Sequence, residues 1–439
     1  MSDVIDRFGI TPSYYRADGF EFEFSHDVHK LLSDAPVRVD VHALREYFTF
    51  QNYYSGRTLF DGIRKQPPGT YAVRNGNKVS FVAQGKDFDF KPSAISYEES
   101  EQELRKLLNN AIKRHAYNRD VAIPLGGGMD SGIIVAFASR YTRSINTITC
   151  GYFNQSDERA NAELVASKFN TSHYEVLVGP RSLPKLLPGL ISAVGDFRLS
   201  INYQDFIALS TAGKFANVIL SGAGGDELFG GYPWKYSSND HYALASRLIK
   251  EHEHADFFTR EVMDATAGYS PMQSYLCACR NNKTPVNIVD RFYFDIKSSL
   301  QGLLTYLHYY SRALNIKIEY PFLDDELVNF ALKIPAQYKL NPVYGPLGKR
   351  ILRDVMHELP EPIRQATKQG FTTPDSKWFR NETRDYIEGT LGKGSTYTKY
   401  IKYGYVHDKL NKHIAGVEDN HQLIWSLLCF EHWLRRFTA

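Results

Sequence analysis

The sequence predicts an α/β fold. A parallel sheet is doubly wound by helices, a mostly helical C-terminal part follows it, and a small α+β segment precedes it. Three observations carry this. Short apolar runs alternate with helical patterns between about residues 99 and 221, the signature of strands joined by crossover helices. Two of those runs end in glycine-rich turns, Gly126-Gly-Gly-Met-Asp-Ser-Gly132 and Ser221-Gly-Ala-Gly-Gly-Asp-Glu227. Before residue 85 the texture is short strands and tight turns instead.

In chain order, Phe20-Glu-Phe-Glu-Phe24 alternates with period two, as a half-buried strand does. Val41 to Phe50 reads as a helix and Pro67-Pro68-Gly69 as a turn. Two apolar runs flank Asn75-Gly76, which predicts a β-hairpin. Residues 86–98 read as an extended linker between an N-terminal segment, 1–85, and a larger domain, 99–439. In that domain Glu99 to Arg114 is an amphipathic helix. Strands are expected at Asp120–Leu125, Thr147–Tyr152, His173–Val178 and Val218–Ser221, with helices at Asn161–Phe169 and Phe206–Phe215 between them. Beyond about residue 237 the chain reads as mostly helical.

Composition excludes several function classes. A chain of 439 residues suggests about two or three domains. Its 43% hydrophobic and 23% charged residues are ordinary globular usage. No apolar run reaches the roughly 18 residues of a membrane span. The acidic N-terminus, Met1-Ser-Asp-Val-Ile-Asp6, is unlike a signal peptide, so a cytoplasmic protein is expected. A net charge of +3 offers no basic patch for nucleic acid or an anionic membrane. Cys150, Cys277, Cys279 and Cys429 lack C-x-x-C spacing and read as reduced thiols. His252 and His254, two apart in an expected helix, diverge and read as part of a solvated charged segment.

The chemistry is expected at the two glycine turns. Ligands of a doubly wound sheet bind beyond the carboxyl ends of its strands, where glycines let the backbone approach an anion and a helix N-terminus offers free N–H groups. Asp130 would repel phosphate on its own, but it makes sense if it holds Mg2+ on the phosphates. The segment Leu220 to Tyr232 has five glycines in 13 residues and adds the Asp226-Glu227 pair from a second strand end. Neither turn is the G-x-x-x-x-G-K-[ST] loop, which needs a lysine.

These residues carry a family resemblance. The first turn resembles the S-G-G-x-D-S pyrophosphate loop of the N-type ATP pyrophosphatases. The second resembles the S-G-x-G-x-D-E-L-F-G-G-Y segment of the asparagine synthetases. The likeness continues through Tyr320-Pro-Phe-Leu-Asp324, Lys349-Arg-Ile-Leu-Arg353, Lys368-Gln-Gly-Phe371, Leu423-Ile-Trp425 and Trp433-Leu-Arg-Arg-Phe437. Asp6-Arg-Phe-Gly-Ile10 and Arg57-Thr-Leu-Phe-Asp-Gly-Ile-Arg64 to Tyr71 resemble the last third of the family's glutaminase domain.

The resemblance implies a synthetase that adenylates a carboxylate with ATP, releases pyrophosphate and lets an amine displace AMP. By position, Gly126, Gly127, Gly128 and Ser131 would cradle pyrophosphate, with Asp130 and Asp226 on Mg2+. Leu125, Cys150, Ser221 and Gly222 would line the adenosine pocket, and Ala223, Gly224, Asp226 and Glu227 the substrate pocket. Lys349 and Lys368 would be the catalytic cations.

Four departures qualify the implication. Gly126 replaces the loop's leading serine. Ala223 replaces a glutamate that meets the incoming amine in asparagine-forming members, which puts aspartate as substrate in question. Lys317 and Glu319 stand where the family has Glu and Arg, a swap that either keeps a reversed salt bridge or reshapes substrate contacts. The family's N-terminal nucleophilic cysteine and about two-thirds of its glutaminase domain have no counterpart here, and Ser2 is not expected to replace that nucleophile. Nitrogen is then expected from free ammonia, from a separately encoded glutaminase subunit, or from an amine on the substrate. A homodimer is compatible with the resemblance.

Aspartate is the first expectation for the carboxylate; a sugar acid, peptide or natural-product precursor, including ring closure, is the alternative. Two other classes compete. A non-catalytic partner of a separate glutaminase would not need Asp130, Asp226, Lys349 and Lys368. A tRNA-modifying pyrophosphatase predicts a basic face or a C-x-x-C pair, and the sequence has neither.

Overall fold

The computed structural model describes residues 4–18, 21–32, 36–75, 78–85, 87–152, 158–198, 201–237, 244, 246–285, 287–340, 347–367 and 373–438. In the N-terminal segment, β1 (Tyr14–Asp18), β2 (Glu21–Ser25) and β3 (Ile63–Lys65) form an antiparallel sheet in the order β2-β1-β3. Helix α1 (Val41–Phe50) starts where Asp40 accepts hydrogen bonds from the backbone N–H groups of His42 and Ala43. β4 (Thr70–Asn75) and β5 (Lys78–Ala83) pair as the expected hairpin; Gly76 lies outside the described residues.

Helix α2 (Tyr97–Ala116) opens the second part. It runs longer than its amphipathic pattern because Ser96 and Glu99 form a capping box one turn earlier. Then come β6 (Asp120–Pro124), α3 (Met129–Ala138), β7 (Ser144–Tyr152), α4 (Arg159–Lys168), β8 (Ser172–Val178), α5 (Ser182–Val194), α6 (Tyr203–Ala212), β9 (Val218–Leu220) and α7 (Gly225–Phe229). Among the later helices are α8 (Leu300–Leu314), α9 (Arg350–Val355) and α10 (His421–Phe437), with β10 (Lys317–Glu319) following α8.

The five strands β6 to β10 make one parallel sheet in the order β10-β9-β6-β7-β8. The chain steps outward from β6 through β7 to β8, then returns to place β9 on the other side of β6. That reversal opens a crevice beyond the carboxyl ends of β6, β7 and β9, where an open α/β sheet binds its ligand.

Two elements were not legible beforehand. α5 contains Pro188 inside the helix, a residue that normally argues against one. β10 is the three-residue Lys317-Ile-Glu319, without strand periodicity, and exists because it pairs with β9.

One hydrophobic core runs from the N-terminal strands to α10. Buried polar contacts tie the two parts together. Tyr14 Oη donates to Asp196 Oδ2 at 3.1 Å, and the Arg198 guanidinium donates to Asn52 Oδ1 at 2.5 Å and to Tyr53 O at 3.1 Å. Lys65 Nζ donates to Thr305 Oγ1 at 2.6 Å, and burial pulls its ammonium down to about 7.

His254 corrects the expectation of a solvated segment. It is fully buried, and its Nδ1 accepts from Arg45 Nε at 3.2 Å. Its Nε2 lies 3.0 Å from Thr49 Oγ1, whose own proton goes to Arg45 O. The ring is therefore neutral with its proton on Nε2. The expected divergence holds, but it turns His254 inward because α1 supplies a polar cage that no sequence window contains. The four cysteines are free thiols, and no helix among the described residues is long and apolar enough to cross a membrane.

Burial, and then the nearby Arg45, pull the His254 ring down to about 4. The unfolded chain, with a histidine near the usual value of about 6.5, then binds the extra proton first. Stability is expected to fall as pH drops from about 6.5 toward 4, by up to about 3 kcal/mol from this residue. Urea unfolding of wild type and His254→Gln across that range checks it: the loss should be smaller in the variant, and identical slopes would refute the contribution.

Candidate active site

The crevice holds a cavity of about 520 Å3. β6 enters it at Pro124, which lines the wall. The next residue, Leu125, donates its N–H to Ile148 O at 2.8 Å and buries its side chain outside the wall, so Pro124 holds the place expected for Leu125. Gly127 has φ +66°, and a Cβ on it would fall 2.6 Å from Glu158 O, so the turn accepts only glycine there. A Cβ on Gly128 would meet nothing within 4 Å, since it points into open cavity. Gly128 is also the N-cap of α3, with no side-chain cap. The first N–H groups of α3 are thus left to an anion.

Asp130 sits in the first turn of α3 and Asp226 in α7, after the second glycine turn. Lys349 arrives from the far end of the chain, just before α9. Its Nζ donates to Asp130 Oδ2 at 2.6 Å and also pairs with Asp226 Oδ1. Lys349 is only 4% exposed, so neither carboxylate is matched by water alone. Lys349 also has a left-handed backbone, φ +61°. That conformation costs a non-glycine residue roughly 1–2 kcal/mol and is tolerated where the surroundings over-determine it. Gly225 permits the approach, because a Cβ there would lie 2.6 Å from Asp130 Cγ.

Around this triad, Glu227 is buried, and its Oε1 accepts from Tyr232 Oη at 3.0 Å. Burial and then the Asp226 carboxylate push the Glu227 carboxyl up. Cys150 lines the wall as a thiol that burial pushes up to about 12; it is not a nucleophile at neutral pH. Gly126, Ser131, Ser221, Gly222, Ala223 and Gly224 all line the same cavity. Ser131 Oγ lies 3.5 Å from Gly128 O, and Ser221 Oγ accepts from Ala223 N at 3.3 Å. The structure thus brings together every expected site residue except Leu125, turned away, and Lys368, which lies outside the described residues.

Several cavity residues were not anticipated. Arg353, one turn after Lys349, donates to Gly348 O at 2.7 Å and Ala366 O at 3.1 Å, tying down the segment that carries the lysine. The i, i+4 spacing of Lys349 and Arg353 was the available signal. Asp205, Leu209, Leu303, Leu307 and Ile318 also line the cavity; they come from α6, α8 and β10, whose meeting is a tertiary event.

The charge swap on β10 keeps a pair. Lys317 Nζ lies 2.6 Å from Glu319 Oε1, with His115 Nδ1 at 3.0 Å and Arg119 at 3.4 Å. The hydrogen bond from His115 leads in holding the Glu319 carboxyl down to about 2. Ile318 lines the main cavity while its two charged neighbours do not.

No group of three or more acidic, histidine or cysteine side chains among the described residues could hold a metal alone. Asp130 and Asp226 together offer two carboxylates, the kind of donor set Mg2+ takes when phosphates and water supply its other ligands.

Residues 103–435 match the family profile described as asparagine synthase, and residues 3–84 that of a glutamine amidotransferase domain. The chain belongs to the asparagine synthase family. It is a carbon–nitrogen ligase of a family that uses ATP. The glutamine-hydrolyzing asparagine synthetase 1 of Bacillus subtilis (strain 168) is 26% identical over 473 residues, spanning 98% of this chain and 74% of that protein. Asparagine synthetase 3 of the same organism is 23% identical over 447 residues, spanning 88% and 69%. Two solved structures give TM-scores too low to carry an argument. The NMN synthetase of Francisella tularensis scores 0.23 at 18% identity, covering 31% of this chain and 59% of its own. A glutamine-dependent NAD+ synthetase of Acinetobacter baumannii, in complex with ADP, scores 0.22 at 13% identity, covering 56% and 60%.

The two loop glycines should separate folding from binding. Gly127→Ala is expected to lose at least about 1–2 kcal/mol of stability through its left-handed backbone. Gly128→Ala should melt like wild type but bind ATP more weakly, because its methyl fills the space above α3. Thermal melts with ATP titrations check this, and unchanged ATP affinity in Gly128→Ala would remove the cradle from the argument.

Proposed function

We propose that this asparagine synthase family member is an AMP-forming amide synthetase that activates a small carboxylate, aspartate first among candidates, for attack by ammonia or an amine. The observation that carries the reading is Lys349 held between Asp130 and Asp226 beside an uncapped helix N-terminus and the open face of Gly128.

In the first step a carboxylate oxygen bonds to the α-phosphorus of ATP, and the bond from that phosphorus to the bridging oxygen breaks. Acyl-AMP and pyrophosphate result. In the second step the amine nitrogen bonds to the acyl carbon, the tetrahedral intermediate expels AMP, and nitrogen gives up a proton. The N–H groups of the first glycine turn and the Ser131 hydroxyl take up pyrophosphate charge. Lys349 places a fixed ammonium where phosphate charge develops, in a site where little rearrangement is needed. Lys368 is the second cation of this reading. Asp130 and Asp226 would hold Mg2+, which supplies charge neutralisation on the phosphates.

The nitrogen is taken to be ammonia, delivered free or by a separate glutaminase subunit, or an amine on the substrate. Ala223 favours a different carboxylate or amine as the runner-up, since its methyl offers no acceptor to an incoming ammonium. The reading also places the enzyme in the cytoplasm, where ATP and free thiols coexist.

Pyrophosphate release with Mg-ATP and L-aspartate, run with ammonium, with glutamine and with neither, tests this. Aspartate-dependent release yielding asparagine supports the named substrate. ATP binding without aspartate-dependent release moves the reading to another carboxylate. Asp130→Ala and Lys349→Ala are each expected to cut release by about 10²–10³; normal rates in both would overturn the assignment.

A further inference from the structure

One wall of the main cavity is apolar with one carboxylate set into it. Ala208 and Leu209 of α6, Leu303 and Leu307 of α8, and Ile318 of β10 form it. Asp205, in the first turn of α6, lines the same space. Its Oδ2 is occupied: Asn202 Nδ2 donates to it at 2.9 Å, and the phenol of Tyr306, itself 3% exposed, donates to it as well. The capping of α6 uses only this oxygen and the Asp205 N–H, which donates to Asn202 Oδ1 at 2.7 Å. Among the described residues no donor reaches Oδ1, and no lysine, arginine or histidine forms an ion pair with Asp205.

That isolation is unlike Asp130 and Asp226 in the same cavity, which share Lys349. A carboxylate among leucines with no counter-ion is held at a desolvation cost that a cationic partner offsets. Burial pushes the Asp205 carboxyl up, and the bonds from Tyr306 and Asn202 act in the opposite sense by stabilising its charged form. With Oδ2 taken up by Asn202 and Tyr306, Oδ1 is the oxygen left for a ligand in the cavity that Asp205 lines.

We propose that this wall of the cavity binds the primary ammonium group of an aliphatic amine, with Asp205 Oδ1 as acceptor and the Leu303, Leu307 and Ile318 side chains packing its hydrocarbon chain. The class of ligand follows from the pairing of one anionic acceptor with apolar walls: ammonium alone satisfies the first and wastes the second, and a neutral alkyl group does the reverse. The inference rests on the amide-synthetase reading for the amine's place in the reaction, while the binding itself needs no turnover.

Calorimetric titration of the full chain at pH 7.5 tests it with n-pentylammonium, 1-pentanol, ammonium and ATP as separate probes. In wild type, n-pentylammonium should bind roughly tenfold or more tightly than either 1-pentanol or ammonium. Asp205→Asn should reduce n-pentylammonium affinity by about tenfold, the loss of one charge-assisted contact, while leaving 1-pentanol and ATP affinities unchanged. Equal binding of n-pentylammonium and 1-pentanol to wild type overturns the proposal without any variant. So does an Asp205→Asn protein that loses ATP affinity and keeps n-pentylammonium, since the carboxylate would then read the adenine amino group. Ammonium binding as tightly as n-pentylammonium removes the aliphatic class. Absence of pyrophosphate release beside intact n-pentylammonium discrimination counts against the synthetase reading and supports the subsite.

Discussion

Lys349 bridges Asp130 and Asp226, and much of the surrounding backbone is arranged so that it can. Three charges from three distant stretches of chain, Asp226 and Lys349 buried and Asp130 partly so, meet within ion-pair distance, and removing the ammonium would leave two carboxylates facing each other with little water between them. The constraint reaches outward. Gly225 must lack a side chain because Asp130 occupies that space. Lys349 has a left-handed backbone while its ammonium pairs with both aspartates. Arg353 donates to the carbonyl of Gly348, just before that turn, and to that of Ala366 in a later segment, tying the two together. Strain at one residue is thus held in place by hydrogen bonds at its neighbours.

The sheet supplies the place for this. Because β9 returns to the opposite side of β6 from β7, the loops after β6 and β9 face one another across the crevice. A glycine turn at either strand end alone would be a tight connection; two facing turns with one carboxylate each are what the proposed phosphate site is built from. The N-terminal segment is bound into this architecture. Arg45 and Thr49 of α1 enclose His254, Tyr14 meets Asp196, and Lys65 reaches Thr305 of α8, a helix that also lines the cavity.

Much of the fold was legible from local pattern. β6 and the Thr70–Lys78 hairpin region came from runs whose neighbours in sequence are also their determinants, and α1 matched its expected limits, Val41–Phe50. α5 was not, because Pro184 and Pro188 argue locally against a helix that packing against α10 and α8 sustains. β10 was not, because a three-residue strand is defined by its partner. His254 was misread because its cage comes from residues about 200 positions earlier. At the site, both aspartates, Lys349 and the glycine turns were legible as motifs, whereas Pro124 in place of Leu125, Arg353 as a clamp, and Asp205 were not.

The sequence alone determined the α/β class, the two glycine-rich turns, the identity of Asp130, Asp226 and Lys349 as site residues, and the family those motifs belong to. These are short-range properties: glycine spacing, strand-length apolar runs and residue identity at fixed offsets carry them. Only the tertiary structure decided which acids receive a counter-ion and which do not. Asp130 and Asp226 share Lys349, while Asp205 lines the cavity among apolar side chains with one oxygen held by Asn202 and Tyr306 and, among the described residues, no counter-ion. The reason is physical. A charge's environment is set by what packs around it, and α6, α8, β10 and the Lys349 turn approach these carboxylates from parts of the chain that no local pattern relates to them.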